Sequence, residues 1–316
     1  MRLKEAGLRI DWAANVDMSV LIVGSTALDS IKTPAGSHPR LLGGSASHAA
    51  VAASFFAPVQ LVGVVGEDFP KACLQLYRKH KINLEGLQIV PGKTFHWSAE
   101  YEVNMNNRRT LATELGVFET FTPRLPASYQ KSRFVLLANI APALQNHVLD
   151  QMRRPRFVVA DTMDLWLNIA LPELLRLLRR VDGLVLNDSE ARQLTKEDNL
   201  WRAARQIHRL GPRHVIIKKG EHGAMLSSGG RLFVSPAFPL AKVVDPTGAG
   251  DSFAGGMMGY LSAATGSIDA NLRRAMIYGS VVASFCCEGY GLESTTRLTR
   301  RAIEKRVREL EEIARF

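Results

Sequence analysis

The stretch KVVDPTGAGDSFAGG, residues 242–256, carries the chemistry of this chain. Val243 and Val244 read as the end of a strand, and beyond Asp251 the residues Phe253, Met257, Met258 and Leu261 recur at helical spacing. Gly248-Ala249-Gly250 is then a tight strand-to-helix turn. Its backbone N–H groups lack intrahelical partners and point outward at the positive end of a helix. That arrangement suits a phosphoryl group, whose negative charge grows during transfer. Asp251 falls in the first helical turn beside this anion pocket, where a carboxylate can take the proton of an alcohol attacking phosphorus. Helix capping is the plainer role for an Asp so placed, but the whole heptad DPTGAGD, acidic at both ends, favours chemistry. The amides and the positive helix end are expected to keep Asp251 ionised.

Outward from this segment, short runs rich in Val, Ile and Leu recur. Ser19–Val23, Val59–Val65, Phe134–Leu137, Phe157–Ala160, Gly183–Leu186 and His214–Lys218 read as buried strands. The intervening stretches, such as Leu171–Arg180 and Ser189–Leu210, read as amphipathic helices. Such alternation predicts an α/β fold with a mostly parallel sheet covered on both faces. From Gly92 to Thr122 the pattern breaks. Polar and apolar residues alternate over Thr94–Val103, which marks strands with one wet face. A small accessory sheet, built partly from about residues 92–122, is expected there as a lid.

The 316 residues include 40 basic and 30 acidic side chains, a formal charge of +10. With 46% hydrophobic and 22% charged residues, a large core is available and wholesale disorder is excluded. Three cysteines, Cys73, Cys286 and Cys287, fit neither a disulfide scaffold nor a CxxC zinc site. Leu41–Gly66 is long enough to cross a bilayer, but Gly43, Gly44, Ser45, Ser47, Pro58 and Gln60 make it a glycine turn, a small-residue helix and a buried strand. Residues 1–18 lack the apolar core of a secretory signal and are expected to be a leader or tail outside the fold, with 19–316 as the domain. The expectation is a soluble, cytoplasmic chain with no membrane partner. Basic residues near the end alternate with Glu304, Glu309, Glu311 and Glu312, as on a solvated helix laced with ion pairs. No nucleic-acid motif accompanies the charge.

DPTGAGD followed by Ser252 and Phe253 resembles the signature of the ribokinase-like (PfkB) family of carbohydrate and nucleoside kinases. Three further stretches resemble that family's marks in order: Gly43-Gly44-Ser45-Ala46-Ser47-His48, Asn187-Asp188-Ser189-Glu190, and Lys218-Lys219-Gly220-Glu221-His222-Gly223. The likeness spans about Ser19 to Leu310. It implies a Rossmann-like three-layer sandwich with a β-sheet lid, and ATP-dependent, magnesium-requiring phosphorylation of an alcohol. In that resemblance Asp251 is the general base, and Gly248, Ala249 and Gly250 form the anion hole. Asn187 and Glu190 organise Mg2+ and the nucleotide phosphates, while Lys218, Gly220 and Gly223 line the ATP site. Asp245 helps to hold a monovalent cation such as K+, and Asp29, Gly43, Gly44 and His48 meet the acceptor. By analogy only, a homodimer forms through the lid.

Two departures bear on the acceptor. His48 stands where ribokinases usually carry Asn, either donating to a substrate hydroxyl or sitting in the core. An acidic sugar contact near Asn139 and Ile140 is missing, so ribose itself is disfavoured. Asn139 and Asp164 follow strands, where α/β folds bind ligands. Trp97 and Tyr101 share one face of the lid and either stack on a ligand or pack on the main sheet. A sugar-like acceptor ranks first and a nucleoside second, and a non-catalytic ligand-binding relative is the rival from another class. The chain has no Walker P-loop, no dinucleotide fingerprint, no nucleophile elbow and no His-x-x-x-His pair.

Overall fold

The computed structural model describes residues 18–105 and 107–315. The expected leader, apart from Met18, lies outside them. The chain runs β1 (Val20–Val23), β2 (Ala27–Thr33), β3 (Gly36–Gly43), α1 (Ser45–Ser54), β4 (Val59–Gly66), α2 (Lys71–Lys79), β5 (Ile82–Val90), β6 (His96–Tyr101) and β7 (Arg108–Glu114). It continues with β8 (Phe134–Leu137), α3 (Pro142–Gln151), β9 (Phe157–Asp161), α4 (Asp164–Ile169), α5 (Leu171–Leu178), β10 (Gly183–Asn187), α6 (Asp188–Thr195), α7 (Leu200–Leu210) and β11 (His214–Lys218). A hairpin of β12 (Ala224–Ser228) and β13 (Arg231–Ser235) precedes α8 (Ala249–Ala263), α9 (Ile268–Cys286), α10 (Glu293–Thr296) and α11 (Arg300–Ile313).

Among the described residues, nine strands form the main sheet in the order β13-β12-β11-β10-β9-β8-β1-β4-β5. From β11 to β5 neighbouring strands are parallel, and the antiparallel β12–β13 hairpin closes one edge. Alternate residues of the central strands feed two cores. Val20, Ile22, Phe134, Leu136 and Val159 pack with α1, α8 and α9. Leu21, Val23, Val135, Leu137 and Val158 pack with α3, α5 and α7. Both faces are therefore dry, which explains the unbroken apolar strands. Strand order reverses between β1 and β8, the place where open α/β sheets bind ligands beyond the strand ends.

The accessory sheet is separate, in the order β3-β2-β6-β7. The segment around 92–122 supplies β6 and β7. The other half comes from residues 27–43, inserted directly after β1. Ile31, Ala99 and Tyr101 on its inner face pack with Tyr290. Its outer face carries the Lys32–Glu100–Arg109 ion pairs, each at 2.7 Å.

Two local expectations are corrected. Ser189–Leu210 is not continuous helix: α6 stops at Lys196, whose backbone is left-handed (φ 56°), and Asn199 caps α7 by accepting from Arg202 N. Val243 and Val244 are not strand residues. Pro236, Pro239 and Pro246 remove backbone donors from this stretch, and Val244 N–H instead donates to the Cys287 carbonyl at 2.8 Å. The C-terminal helix is as expected, with Arg300–Glu304 and Lys305–Glu309 one turn apart.

Candidate active site

The heptad ends in a turn set by glycine geometry. Gly248 has φ 76° and ψ 2°, a left-handed conformation that side chains resist, and Ala249 N–H donates back to the Pro246 carbonyl at 3.1 Å. Ala249 thus closes the turn and is not an open donor, which corrects the three-amide reading. Gly248 and Gly250 keep N–H groups without acceptors among the described residues, at the N-terminus of the fifteen-residue α8. Helix α8 is held against α1 by small residues, Gly255 on Ala49 and Gly259 on Ala53, so the turn cannot drift. Asp245 is completely buried and straps the turn down: Oδ1 accepts from Thr247 N at 2.9 Å and Oδ2 from Gly291 N at 3.1 Å. Each oxygen keeps a lone pair, so this donor set still fits a monovalent cation.

His48 lies beneath the turn rather than on an acceptor wall. Its side chain is buried, its Nδ1 is 3.9 Å from Cys286 Sγ, and its Nε2 has no partner among the described residues. Helix α1 is almost entirely Ala and Ser on the side that meets α8, so an imidazole there fills the gap under Gly248. Burial pushes its pKa down to about 4, leaving it neutral.

Asp251 is half-buried in the first turn of α8. Burial, then the Asp161 charge, push its pKa up to about 7, against the pull of Lys218 and Arg108. The expectation that amides would keep it ionised fails because loss of water outweighs them. A value near neutrality suits a general base better than an ordinary carboxylate does. Asp161, at the end of β9, reads in sequence as one more strand residue and was missed. Its carboxylate meets Lys218 Nζ at 3.1 Å and accepts from Thr162 N at 2.9 Å.

Asn187 and Glu190 form a reciprocal capping box on α6. Asn187 Oδ1 accepts from Glu190 N at 2.8 Å, and Glu190 Oε2 accepts from Asn187 N at 2.7 Å. Burial raises the Glu190 pKa to about 7 against the pull of Lys218, and a second cation arriving there would favour its ionised form. Among the described residues no group of three or more His, Cys, Asp or Glu is poised to cage a metal. Asn187 and Glu190 offer hard oxygen donors, the kind that suits a Mg2+ whose other ligands are phosphate and water. Gly220 and Gly223 shape the turn after β11, with φ of 55° and 79°.

Asp29 sits within β2 of the accessory sheet. It is buried, takes an N–H from Gly44, and lies within electrostatic reach of Asp251. Gly43 is obligatory beside it, since a methyl group there would overlap the carboxylate. Burial lifts the Asp29 pKa to about 7, with Asp245 and Asp251 adding to the rise. Trp97 pairs with Asp29 in register on the same lid face, and the Arg108 guanidinium lies 5.7 Å from the Trp97 ring. Tyr101 packs inward and accepts from Thr247 Oγ1 at 3.1 Å. Asn139 is spent on structure, accepting from Trp166 Nε1 at 2.8 Å, and Asp164 is exposed on α4.

One face of the accessory sheet, the start of α8 and the ends of β9, β10 and β11 thus converge. The described residues contain no helix long and apolar enough to cross a membrane. The model of the pfkB family of carbohydrate kinases matches residues 20–298. The cytidine kinase of Thermococcus kodakarensis is 32% identical over 249 residues, covering 76% of this chain and 87% of that protein. Two solved structures, each 20% identical, align over 92% of this chain and 98% of theirs. They are the Methanocaldococcus jannaschii nucleoside kinase, with a TM-score of 0.75, and the Arabidopsis thaliana ribokinase complexed with ribose and ATP, at 0.74. With a fold shared over 92% of the chain and a family match over nearly all the described residues, this protein belongs to the pfkB family of carbohydrate kinases.

Proposed function

We propose that this kinase transfers the γ-phosphate of ATP to a primary alcohol of a small sugar or sugar-like polyol. The observation that carries the reading is the meeting of Asp251, a carboxylate with a pKa near 7, with the open amides of Gly248 and Gly250. Asp251 takes the proton of the hydroxyl as its oxygen attacks the γ-phosphorus in line. The bond to the bridging oxygen breaks and ADP leaves. The two amides bear the charge that grows on the phosphoryl oxygens. Asn187 and Glu190 would hold Mg2+ with the nucleotide phosphates, and the ion supplies positive charge there. Gly220 and Gly223 shape the nucleotide side, and Asp29 accepts from acceptor hydroxyls. Asp245 anchors the anion turn, where K+ would join it.

A nucleoside acceptor is the second reading, supported by the 32% identity to a cytidine kinase and by Trp97 on the lid's inner face. ADP release measured over a panel of sugars, inositols and nucleosides tests both. Turnover confined to nucleosides replaces the first reading with the second. No release with any acceptor removes the enzymatic reading.

The acids give two pH predictions. Because Asp251 must be unprotonated to act, kcat/KM is expected to fall with an acid limb centred near pH 7. A profile flat from pH 5 to 8 would contradict this assignment. Asp29 and Asp251 both titrate in the folded state above their ordinary value of 3.8. Stability contributed by their protonated forms is complete below that value and lost as pH rises through about 7. Asp29→Asn is therefore expected to raise Tm more at pH 8 than at pH 5. The same change is expected to lower kcat/KM for the acceptor about 10- to 100-fold, with KM for ATP unchanged.

A further inference from the structure

Lys218 ends β11, in register with Asn187 of β10, and its side chain is 19% exposed. Its ammonium reaches across the end of β10 to Asp161 on β9, at 3.1 Å from Oδ2 and 3.4 Å from Oδ1. A methyl group on Gly250 would lie 3.0 Å from Nζ, so the ammonium stands directly beside the first turn of α8. An ammonium carries three donors. Among the described residues Asp161 is its hydrogen-bonding partner, which leaves donor capacity toward Gly250. Burial alone would push the ammonium's pKa down, but Asp161, Glu190 and Asp251 together raise it above its ordinary value, so the charge is permanent near neutrality.

We propose that Lys218 is a catalytic residue that binds the terminal phosphoryl group of ATP beside the Gly248 and Gly250 amides, with Asp161 as its positioning residue. The inference rests on the kinase reading and extends it. The P–O bond to the acceptor forms, the bond to the ADP oxygen breaks, and the hydroxyl proton goes to Asp251. Lys218 gives up no proton and supplies charge-assisted hydrogen bonds to the equatorial oxygens throughout. Gly250 is thereby explained as the residue that leaves room for the ammonium. Gly250→Ala is expected to reproduce part of the Lys218 phenotype by pushing Nζ aside.

The test uses the full chain carrying Lys218→Met together with Asp161→Asn, so that Asp161 is not left as a buried charge without its ion-pair partner; thermal unfolding checks that it folds. Calorimetric titration is expected to show ATP bound about 10- to 100-fold more weakly than by the wild type, while affinity for ADP stays within about threefold. With an acceptor that the wild type turns over, kcat is expected to fall about 10²- to 10³-fold. Equal losses for ATP and ADP, or kcat within about threefold of wild type, overturn the assignment. If the wild type releases no ADP with any acceptor, the kinase reading falls. The ATP-against-ADP contrast, a binding measurement alone, still decides whether Lys218 meets the terminal phosphate.

Discussion

Asp251→Asn is expected to lower kcat by ~10²- to 10⁴-fold, with KM for ATP nearly unchanged. Asparagine keeps the shape of the side chain and its place in the first turn of α8, but its amide cannot take up the hydroxyl proton at neutral pH. The loss therefore falls on the chemical step and not on nucleotide binding. A second signature separates this from structural damage. Asp251 shares its surroundings with Asp161, and their mutual repulsion helps to raise its pKa. Neutralising one of two crowded acids relieves that repulsion, so the variant is expected to unfold at or above the wild-type temperature at pH 8. An inactive variant with a lowered Tm would point to a structural acid, and wild-type turnover would remove Asp251 from the mechanism.

Gly248→Ala is expected to damage stability and turnover together. The backbone there is left-handed at φ 76°, which costs a side chain about 1–3 kcal/mol. The added carbon would also run into the His48 imidazole, and overpacking of this kind costs about 1–3 kcal/mol more. Relief by movement of the turn misplaces the Gly248 amide, and loss of one such donor lowers kcat about 10²- to 10³-fold. Both Tm and kcat are expected to drop. Combining the change with His48→Ala removes the collision but not the backbone strain, so stability is expected to recover only in part. Full recovery would mean that the left-handed turn costs nothing, and no effect of the single change would sever the turn from catalysis.

What the sequence discloses follows from how local each signal is. The buried strands, the helix after Asp251 and the DPTGAGD turn rest on neighbours within a few positions, and they stand where periodicity and glycine place them. The lid half from Ala27 to Gly43 is hidden because Gly36 and Pro39 make it read as loop, and its parallel pairing with β6 is a contact across some seventy positions. Asp161 is hidden for the same reason: FVVAD reads as plain strand until the topology puts β11 and Lys218 two strands away. The neighbours of His48, Gly248 and Cys286, lie some 200 and 238 positions on, so no local pattern announces a ring under the anion turn. The error over the Asp251 charge has a different origin. Helix ends and amides are visible in sequence, but the dehydration that overrides them is a property of the assembled cleft.

Two hydroxyl clasps join the accessory sheet to the kinase body: Thr33 with Tyr290 at 2.8 Å, and Thr247 with Tyr101 at 3.1 Å. Each is a neutral bond worth about 0.5–1.5 kcal/mol, and they add to the apolar packing of Ile31, Ala99 and Tyr101 on Tyr290. The second clasp belongs to the residue just before Gly248. A change at Tyr101 in the accessory sheet is therefore felt one residue from Gly248, the N-cap of α8.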